Sequence, residues 1–214
     1  MHDFYKVLDK ISLTESAFIL RFERKNIRFN AGQYLSVGLA KSEQARDYSI
    51  FSAEEEPYLE ILVKIVENGI VSKQLSTCKK GDLLRISGPK GTFTLNTANS
   101  GQQHILIATG TGISPLHSIV KSNHELKYKI FHGIRYHNEM YGANDFLPDR
   151  YIPCISRENQ AAHKGHVTDI IAKETIEKDA VAYLCGNGDM IFEVFEILVS
   201  KGLSTNQINT EIYF

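Results

Sequence analysis

The chain has 214 residues, of which 43% are hydrophobic and 23% charged, a composition that indicates a folded globular protein and excludes a disordered or fibrous chain. Lysine and arginine total 24 against 25 aspartate and glutamate residues. This near-neutral balance argues against a protein held to nucleic acid through phosphate contacts.

The first 97 residues contain short, apolar, β-branched segments separated by glycine, asparagine, proline or charged clusters, a pattern that predicts strands. The predicted strands cover residues 17–22, 33–39, 59–66 and 82–88. A helix is predicted at 71–81, ended by Gly81. Strands at this spacing favour an antiparallel β-barrel.

The second half has a different rhythm, in which apolar strands alternate with segments of helical periodicity. Strands are predicted at 104–110, 127–135, 151–158 and 180–186, and helices at 114–126, 166–176 and 190–202. This alternation predicts an α/β domain with a doubly wound parallel sheet and helices on both faces. The polar segment 94–103 joins the halves, so we place the domains at residues 1–97 and 98–214.

Three cysteines lie far apart, at Cys78, Cys154 and Cys185. This argues against a disulfide framework, an iron–sulfur cluster or a structural zinc site. No apolar run reaches the ~18 residues needed to cross a bilayer. The first twenty residues show no secretory signal. We therefore expect a cytoplasmic protein without a membrane partner.

The segment ATGTGISPL (108–116) joins a predicted strand to a predicted helix. Gly110 and Gly112 would let the backbone turn sharply and approach a phosphate, which the free N–H groups of the helix would face. Pro115 suits the first helical turn. Because Pro115 stands where the dinucleotide fingerprint has its third glycine, an ordinary strand-to-helix turn stays open as an alternative.

Polar and aromatic residues in ARDYSIFSA (45–53) suit a flavin site. Arg46 and Tyr48 alternate along a strand and so share a face, with Ser49 opposite. Arginine on a phosphate, tyrosine on a flat ring and serine as a hydrogen-bond donor form a plausible set. The alternative is a solvated arginine beside a half-buried tyrosine.

Two further turns lead into predicted helices. In NGIVSKQL (68–75), the N–H groups of residues 70–72 and the Ser72 hydroxyl could bind a pyrophosphate, or Ser72 could simply cap the helix. In YLCGNGDM (183–190), a strand ends at Cys185, at an edge that faces ligand in doubly wound sheets. A buried structural thiol is the alternative there.

Taken in this order, the motifs resemble the ferredoxin–NADP reductase family of flavoproteins over nearly the whole chain. The matching motifs are RDYS (46–49), GIVS (69–72), GPKGTF (88–93), GTGISP (110–115), SRE (156–158), CGNGDM (185–190) and EIYF (211–214). The resemblance implies an FAD-binding barrel of the bacterial type, followed by an NADP(H)-binding domain.

The resemblance also implies site residues. For FAD they are Arg46, Asp47, Tyr48, Ser49, Leu62, Val63, Lys64, Ile65, Gly69, Ile70, Val71, Ser72, Thr111, Tyr213 and Phe214. For NADP they are Gly110, Gly112, Arg135, Ser156, Arg157, His166, Cys185 and Gly186. The implied catalytic residues are Ser49, Cys185, Glu211 and Tyr213.

In the family, the arginine matching Arg46 meets the FAD pyrophosphate, and the tyrosine matching Tyr48 packs on the isoalloxazine. The serine matching Ser49 lies near flavin N5. The tyrosine matching Tyr213 covers the flavin and yields to nicotinamide. The aromatic matching Phe214 stacks on the adenine of a bent FAD.

Nicotinamide choice depends on charge, because a 2′-phosphate needs cations and a 2′-hydroxyl is usually met by a carboxylate. Arg135 and Arg157 match family arginines at this site, which favours NADPH. His166 stands where bacterial enzymes have another arginine, and Lys164 could compensate, so we expect weaker discrimination against NADH. An ion pair of Arg157 with Glu158 or Asp149 is the alternative.

The expected function is hydride transfer between NADPH and FAD, with single electrons passed to or from ferredoxin or flavodoxin. Four cations could form a basic rim for such an acidic carrier, or a solvated face: Lys79, Lys80, Arg85 and Lys90. Alternatives are an oxygenase reductase, a free flavin reductase, or a non-catalytic dinucleotide-sensing subunit.

We expect a monomer with no bound metal. The possible ligand pairs His132 with His137 and His163 with His166 have no carboxylate or thiolate company.

Overall fold

A computed structural model describes residues 3–96, 99, 101–158 and 163–213. The chain divides into two compact units, Met1–Thr94 with His117–Ser122, and Leu95–Leu116 with Asn123–Phe214. The predicted domain boundary falls between residues 97 and 98, outside the described residues, and stays a prediction. No helix in the described part of the chain is long and apolar enough to cross a membrane.

The first unit contains a six-stranded sheet in which every paired strand runs antiparallel. Its strands are β1 (Asp3–Thr14), β2 (Ala17–Glu23), β3 (Tyr34–Leu39), β4 (Arg46–Ser49), β5 (Tyr58–Lys64) and β6 (Leu83–Lys90). They lie in the order β4-β3-β6-β1-β2-β5. An isolated antiparallel bridge between Ile50 and Ile61 joins the two edges, which closes the predicted barrel.

The barrel core follows the period-two pattern of its strands. Alternate apolar residues of β2 face their partners in β5, in the register Phe18 with Val63, Leu20 with Ile61 and Phe22 with Leu59, and all six side chains are buried. Because successive side chains point to opposite faces, one apolar residue in two fills the interior.

Helix α1 (Ile70–Ser76) adds Val71 and Leu75 to this core. It is shorter than the predicted 71–81, since it already ends at the C-cap residue Thr77. Gly81, with a φ of 94°, lies in the turn before β6 and does not end the helix.

The second unit contains a five-stranded parallel sheet in the order β11-β10-β7-β8-β9. Its strands are β7 (His104–Thr109), β8 (Tyr128–Ile134), β9 (Tyr151–Ile155), β10 (Val181–Gly186) and β11 (Ile208–Ile212). Its helices are α2 (Ile113–Ser122), which continues a 3-10 turn at Gly110–Gly112, α3 (Val167–Lys173) and α4 (Gly188–Ser200). Helix α2 also extends into the first unit, which includes its residues from His117 onward.

Both faces of this sheet are covered, as a doubly wound fold requires. Ile107 of β7 and Leu184 of β10 share a core cluster with Ile171 of α3 and Val194 of α4. The chain moves from β7 to β8 in one direction and from β9 to β10 to β11 in the other. Right-handed crossovers therefore place α2 on the face opposite α3 and α4. The predicted fold class is confirmed.

Candidate active site

The order of the parallel strands reverses between β7 and β10. β8 lies on the far side of β7, and β11 lies on the far side of β10. In doubly wound sheets, ligands bind beyond the carboxyl ends of the strands at this reversal. The 3-10 turn Gly110–Gly112 follows β7 and Gly186 ends β10, so both glycine turns lie at this point.

The two turns are packed backbone against backbone. A Cβ atom at Gly112 would lie 2.4 Å from the carbonyl oxygen of Cys185. A Cβ atom at Gly186, where φ is 132°, would lie 2.3 Å from the Thr109 hydroxyl oxygen. Gly110 has a φ of 53° in the left-handed region that favours glycine. Close contacts thus exclude a side chain at Gly112 and Gly186, and the backbone conformation favours glycine at Gly110, despite the incomplete fingerprint in the sequence.

Cys185 lies fully buried at the end of β10, beside Glu211 in the register of β11. Its Sγ atom is 4.0 Å from Glu211 Oε2, and the N–H of Tyr213 donates to the Gly186 carbonyl over 2.8 Å. Burial, followed by the charge of Glu211, raises the pKa of the Cys185 thiol well above its usual value. The thiol is therefore protonated, which suits contact with a neutral ring and not nucleophilic chemistry.

Three of the four residues predicted to be catalytic, Cys185, Glu211 and Tyr213, thus meet in the second unit. The fourth, Ser49, is in the first unit, where it is buried at the end of β4. Phe214, predicted to stack on adenine, lies outside the described residues.

Arg135 and Arg157 lie beyond the carboxyl ends of β8 and β9, and the fold brings their segments together. The Arg157 N–H donates to the Arg135 carbonyl over 3.0 Å. Ser156 donates to the Ile134 carbonyl through both its N–H and its hydroxyl, over 3.0 and 3.2 Å. Both arginine side chains are exposed.

The carboxylates near this pair are committed to backbone groups. Glu139, which is buried, accepts from the Arg135 N–H over 2.8 Å, and Glu158 accepts from the His137 N–H over 2.7 Å. Among the residues that the structure describes, neither guanidinium has a salt-bridge partner. The alternative ion pair of Arg157 is therefore not found among them.

His166 is exposed and directly precedes α3, and its N–H donates to Asp169 Oδ2 over 3.1 Å. The Gly165 N–H donates to the Ile155 carbonyl at the end of β9. This places His166 and the exposed Lys164 at the same end of β9 from which Arg157 follows.

In the first unit, β4 carries the predicted flavin motif. Arg46 and Tyr48 lie opposite Val37 and Leu35 of β3, so they share one face of the sheet. Arg46 and its neighbour Asp47 are exposed, whereas Tyr48 is half-buried. Burial raises the pKa of Tyr48 to about 12, and the positive charge of Arg46 opposes this shift. The phenol is therefore neutral, as stacking requires.

The predicted flavin segment at residues 62–65 lies on and just after β5. This strand pairs with β2 on one side and meets the other sheet edge only at the Ile50–Ile61 bridge. Leu62 and Val63 are buried, and Lys64 and Ile65 are half-buried. Because the side chains of Leu62 and Val63 are buried, a flavin ring could contact these two residues only through their backbone atoms.

The segment Gly69–Ser72 forms the start of α1. Gly69 is the N-cap, and no side chain caps this end of the helix. The Ser72 hydroxyl is buried and accepts from the Val66 N–H over 3.1 Å, so it is not the helix cap. Val71 is buried in the barrel core, whereas Ile70 is 56% exposed. The residues present fit FAD: the uncapped N–H groups of α1 and the Arg46 guanidinium suit its phosphates, and the Tyr48 ring suits its flat ring system.

The predicted basic rim does not form one cluster. Lys79 and Lys80 precede β6, and Lys90 ends it. A strand rises about 3.3 Å per residue, so Leu83 and Lys90 alone lie roughly 23 Å apart along β6. The four cations are thus spread along β6 and not gathered at one point, and their role as a rim for an acidic carrier stays a prediction.

The fold also brings in two residues that sequence reasoning did not assign to the site. His132 of β8 is fully buried, and its Nε2 lies 2.8 Å from the Gly110 carbonyl oxygen. Its Nδ1 lies 2.8 Å from the hydroxyl of Tyr151 in β9. Its place in a buried strand just before Arg135 was the available signal. No three His, Cys, Asp or Glu side chains converge as a metal site within the described ranges.

Comparison with known proteins agrees with this geometry. Residues 5–95 match the family model of the oxidoreductase FAD-binding domain, and residues 106–195 match that of the oxidoreductase NAD-binding domain. The chain is 28% identical to the ferredoxin–NADP reductase of Azotobacter vinelandii over 210 residues, which cover 83% of this chain and 81% of that protein.

Two further similarities widen the range of relatives. The chain is 29% identical to NADH–cytochrome b5 reductase 1 of Lodderomyces elongisporus, over 92% of this chain and 74% of that protein. A ferredoxin–NADP reductase from Neisseria gonorrhoeae, solved with FAD and NADP bound, has the same fold, with a TM-score of 0.88, 21% identity, and coverage of 100% and 99% of the two chains.

An antiparallel barrel matching an FAD-binding domain, followed by a doubly wound domain matching an NAD-binding domain, defines a flavin- and NAD(P)-dependent oxidoreductase. The chain belongs to the ferredoxin–NADP reductase family.

Proposed function

We propose that this protein oxidises NADPH and passes single electrons to ferredoxin or flavodoxin. FAD, when bound, accepts two electrons as a hydride and can release them one at a time. The residues of the chain bind and orient the two ring systems, because direct hydride transfer needs alignment more than a strong base.

The preference for NADPH is carried by one observation, the juxtaposed pair Arg135 and Arg157. Their side chains are exposed, the nearby carboxylates Glu139 and Glu158 accept from backbone N–H groups, and neither arginine has a salt-bridge partner among the described residues. Two unpaired guanidinium groups suit a dianionic 2′-phosphate, which NADH lacks. His166 would contribute a further hydrogen bond to the same group. The N–H and hydroxyl of Ser156 both donate to the Ile134 carbonyl, so Ser156 holds the segment that carries Arg157 and does not bind the phosphate itself.

In this proposal the glycine turns at Gly110, Gly112 and Gly186 receive the pyrophosphate of NADPH. Cys185 and Glu211 border the nicotinamide, with the neutral thiol filling space against the ring. Tyr213 covers the flavin until the nicotinamide replaces it, and Thr111 contacts both rings.

On the flavin side, Arg46 binds the FAD pyrophosphate with the N–H groups of Gly69–Ser72. Tyr48 packs on the ring, and Ser49 donates toward N5. The segment Leu62–Ile65 and its backbone hold the pyrimidine edge, Asp47 faces solvent beside Arg46, and Phe214 is proposed to stack on adenine.

The experiment is to compare Arg135→Ala, Arg157→Ala and Arg28→Ala in the FAD-loaded protein, with ferricyanide as the electron acceptor. Arg28 is exposed in the first unit and provides the same change of charge as a control. We expect KM for NADPH to rise by about tenfold or more at Arg135 and Arg157, while KM for NADH changes less than about twofold. Equal losses for the two nucleotides would contradict the assignment.

The electron acceptor rests on the similarity to ferredoxin–NADP reductase, and the cytochrome b5 reductase relative supplies the competing function. Purified ferredoxin, flavodoxin and cytochrome b5 are compared as acceptors with NADPH and with NADH. We expect NADPH with ferredoxin or flavodoxin to give the highest kcat/KM. Higher values for NADH with cytochrome b5 would refute both parts of the proposal.

A further inference from the structure

His132 lies on β8, between β7 and β9 of the parallel sheet, and is fully buried. Both of its ring nitrogens are within hydrogen-bond distance of a polar atom, the Gly110 carbonyl oxygen at Nε2 and the Tyr151 hydroxyl at Nδ1, each at 2.8 Å. A buried imidazole with two such partners, one of them in the glycine turn, connects the interior of the sheet to the proposed nucleotide site.

The partners define the tautomer of this histidine. A carbonyl oxygen only accepts, so Nε2 must carry the proton and donate to Gly110. Nδ1 then accepts from the Tyr151 hydroxyl. Burial lowers the pKa of His132 to about 4, which keeps the imidazole neutral in this form at physiological pH.

Aromatic packing holds the His132 imidazole, which accepts a hydrogen bond from the Tyr151 hydroxyl. Tyr151 stacks on Phe146 with ring centroids 5.2 Å apart, and it meets the His132 ring edge-on at 6.0 Å. The Tyr141 ring also packs against the imidazole, with the ring centroids 6.4 Å apart. The imidazole therefore has one orientation, and its Nε2–H is directed at Gly110.

The hydrogen bond from His132 to the Gly110 carbonyl, together with the one from the Ile113 N–H to the same carbonyl, sets the direction of a backbone N–H. A trans peptide directs its C=O and its N–H to opposite sides. The peptide that joins Gly110 to Thr111 is trans, and its carbonyl faces His132. The Thr111 N–H therefore points away from the buried imidazole. It belongs to the first turn of the helical segment, whose N–H groups have no partner within the helix.

We propose that His132 is a positioning residue for the dinucleotide: its imidazole holds the Gly110–Thr111 peptide so that the Thr111 N–H is presented to the pyrophosphate, and Tyr151 holds the imidazole. This inference rests on the nucleotide site proposed above. Without the imidazole, the Gly110 carbonyl keeps the hydrogen bond from the Ile113 N–H in the 3-10 turn, whose geometry is poorer than that of an α-helix, so the peptide is held less firmly.

The test compares two ligands that differ in their need for the glycine turn. NADP⁺ carries the pyrophosphate, whereas adenosine 2′-monophosphate has the adenosine and the 2′-phosphate and no 5′-phosphate. Dissociation constants of both are measured by calorimetry on the oxidised, FAD-loaded protein. The variants are His132→Leu, His132→Gln and Tyr151→Phe, with Ile130→Val as a control for a buried change in β8.

His132→Leu is expected to weaken NADP⁺ binding about tenfold and to change the binding of adenosine 2′-monophosphate less than about twofold. His132→Gln, whose amide can both donate and accept, should recover most of the loss, and Tyr151→Phe should lose about threefold. Ile130→Val should affect neither ligand. Equal weakening of both ligands, or no weakening by His132→Leu, would overturn the positioning role. If His132→Leu does not fold, His132→Gln and Tyr151→Phe decide, by the same comparison of the dissociation constants of the two ligands.

The same series separates this inference from the function on which it rests. If the wild-type protein binds NAD⁺ better than NADP⁺, NAD⁺ and adenosine replace the two ligands, and a selective loss of NAD⁺ binding in His132→Leu still supports the role of His132. A wild-type protein that binds neither dinucleotide refutes both. Nitrogen-15 NMR of the imidazole gives a ligand-free readout: the Nε2–H tautomer is expected, and an Nδ1–H tautomer would overturn the inference.

Discussion

A methyl group added at Gly112 tests whether the two glycine turns are packed as tightly as the geometry indicates. Its carbon would lie 2.4 Å from the Cys185 carbonyl oxygen and 2.8 Å from the Gly186 Cα atom. Both are backbone atoms of β10, which is paired with β7 on one side and β11 on the other. Neither can rotate away as a side chain could, so the sheet or the turn must shift.

The expected loss of stability follows from these two contacts. Insertion of a methyl group into a packed interior costs about 1–3 kcal/mol, and a clash with backbone on both atoms places Gly112→Ala near the upper end. For a chain of this length, each kcal/mol lowers Tm by about 2–4 °C, so we expect Gly112→Ala to melt about 6–12 °C lower.

Gly188→Ala is the matched control, because a Cβ atom there would meet only Ile212 Cγ2 at the ordinary distance of 3.6 Å. It lies in the first turn of α4, where alanine favours the helix by up to about 1 kcal/mol. Thermal unfolding followed by circular dichroism compares the two. The reasoning about backbone packing is refuted if Gly112→Ala melts within about 2 °C of Gly188→Ala.

Three further predictions concern buried groups. His132 has a folded pKa of about 4 against 6.5 when unfolded, so the unfolded chain binds the proton more readily and stability falls as pH drops through this range. Urea unfolding at pH 7.5 and 4.5 should show wild type losing about 2–3 kcal/mol more than His132→Gln, and equal losses would contradict the buried neutral imidazole. Native protein at pH 8 should resist iodoacetamide, with rapid labelling only in urea, because burial raises the pKa of all three thiols: Cys78, Cys154 and Cys185. His117→Ala should destabilise the protein by about 3 kcal/mol in chemical denaturation, since the ring stacks on Phe51 at 3.7 Å and Nδ1 contacts its carbonyl oxygen at 2.7 Å; a loss below about 1 kcal/mol would show that this contact is weak.

The strands of the barrel were predictable where apolar residues alternate or run together, as in residues 17–22 and 59–66. Strand β1 was missed although Tyr5 and Val7 are buried, because charged residues such as Lys6 and Asp9 leave it without the apolar run that marks the predicted strands. Strand β11 was missed for a related reason, since it is an edge strand with polar residues between Ile208 and Ile212. Strand β11 is stabilised mainly by its pairing with β10, a long-range contact that the local sequence pattern does not reveal.

The site was predictable to the extent that it consists of short motifs at turns. Glycines after an apolar strand predict a nucleotide turn, and the order of the motifs identified the family. The neighbours across strands were not predictable, because His132 contacts Gly110 across 22 positions of the chain. The spacing of the four cations in the basic rim was not predictable for the converse reason, since positions close in sequence can lie far apart along an extended strand.

The sequence by itself therefore determined the change of rhythm between the two halves, most of the strands and helices, and the family, because periodicity and motif order are properties of local chain segments. The tertiary structure decided which groups meet. Parallel pairing of β8 with β9 joined Arg135 to Arg157, and reversal of strand order brought Gly112 against Cys185. The tertiary structure also keeps the buried His132 neutral, because its pKa depends on the surroundings that the whole fold creates.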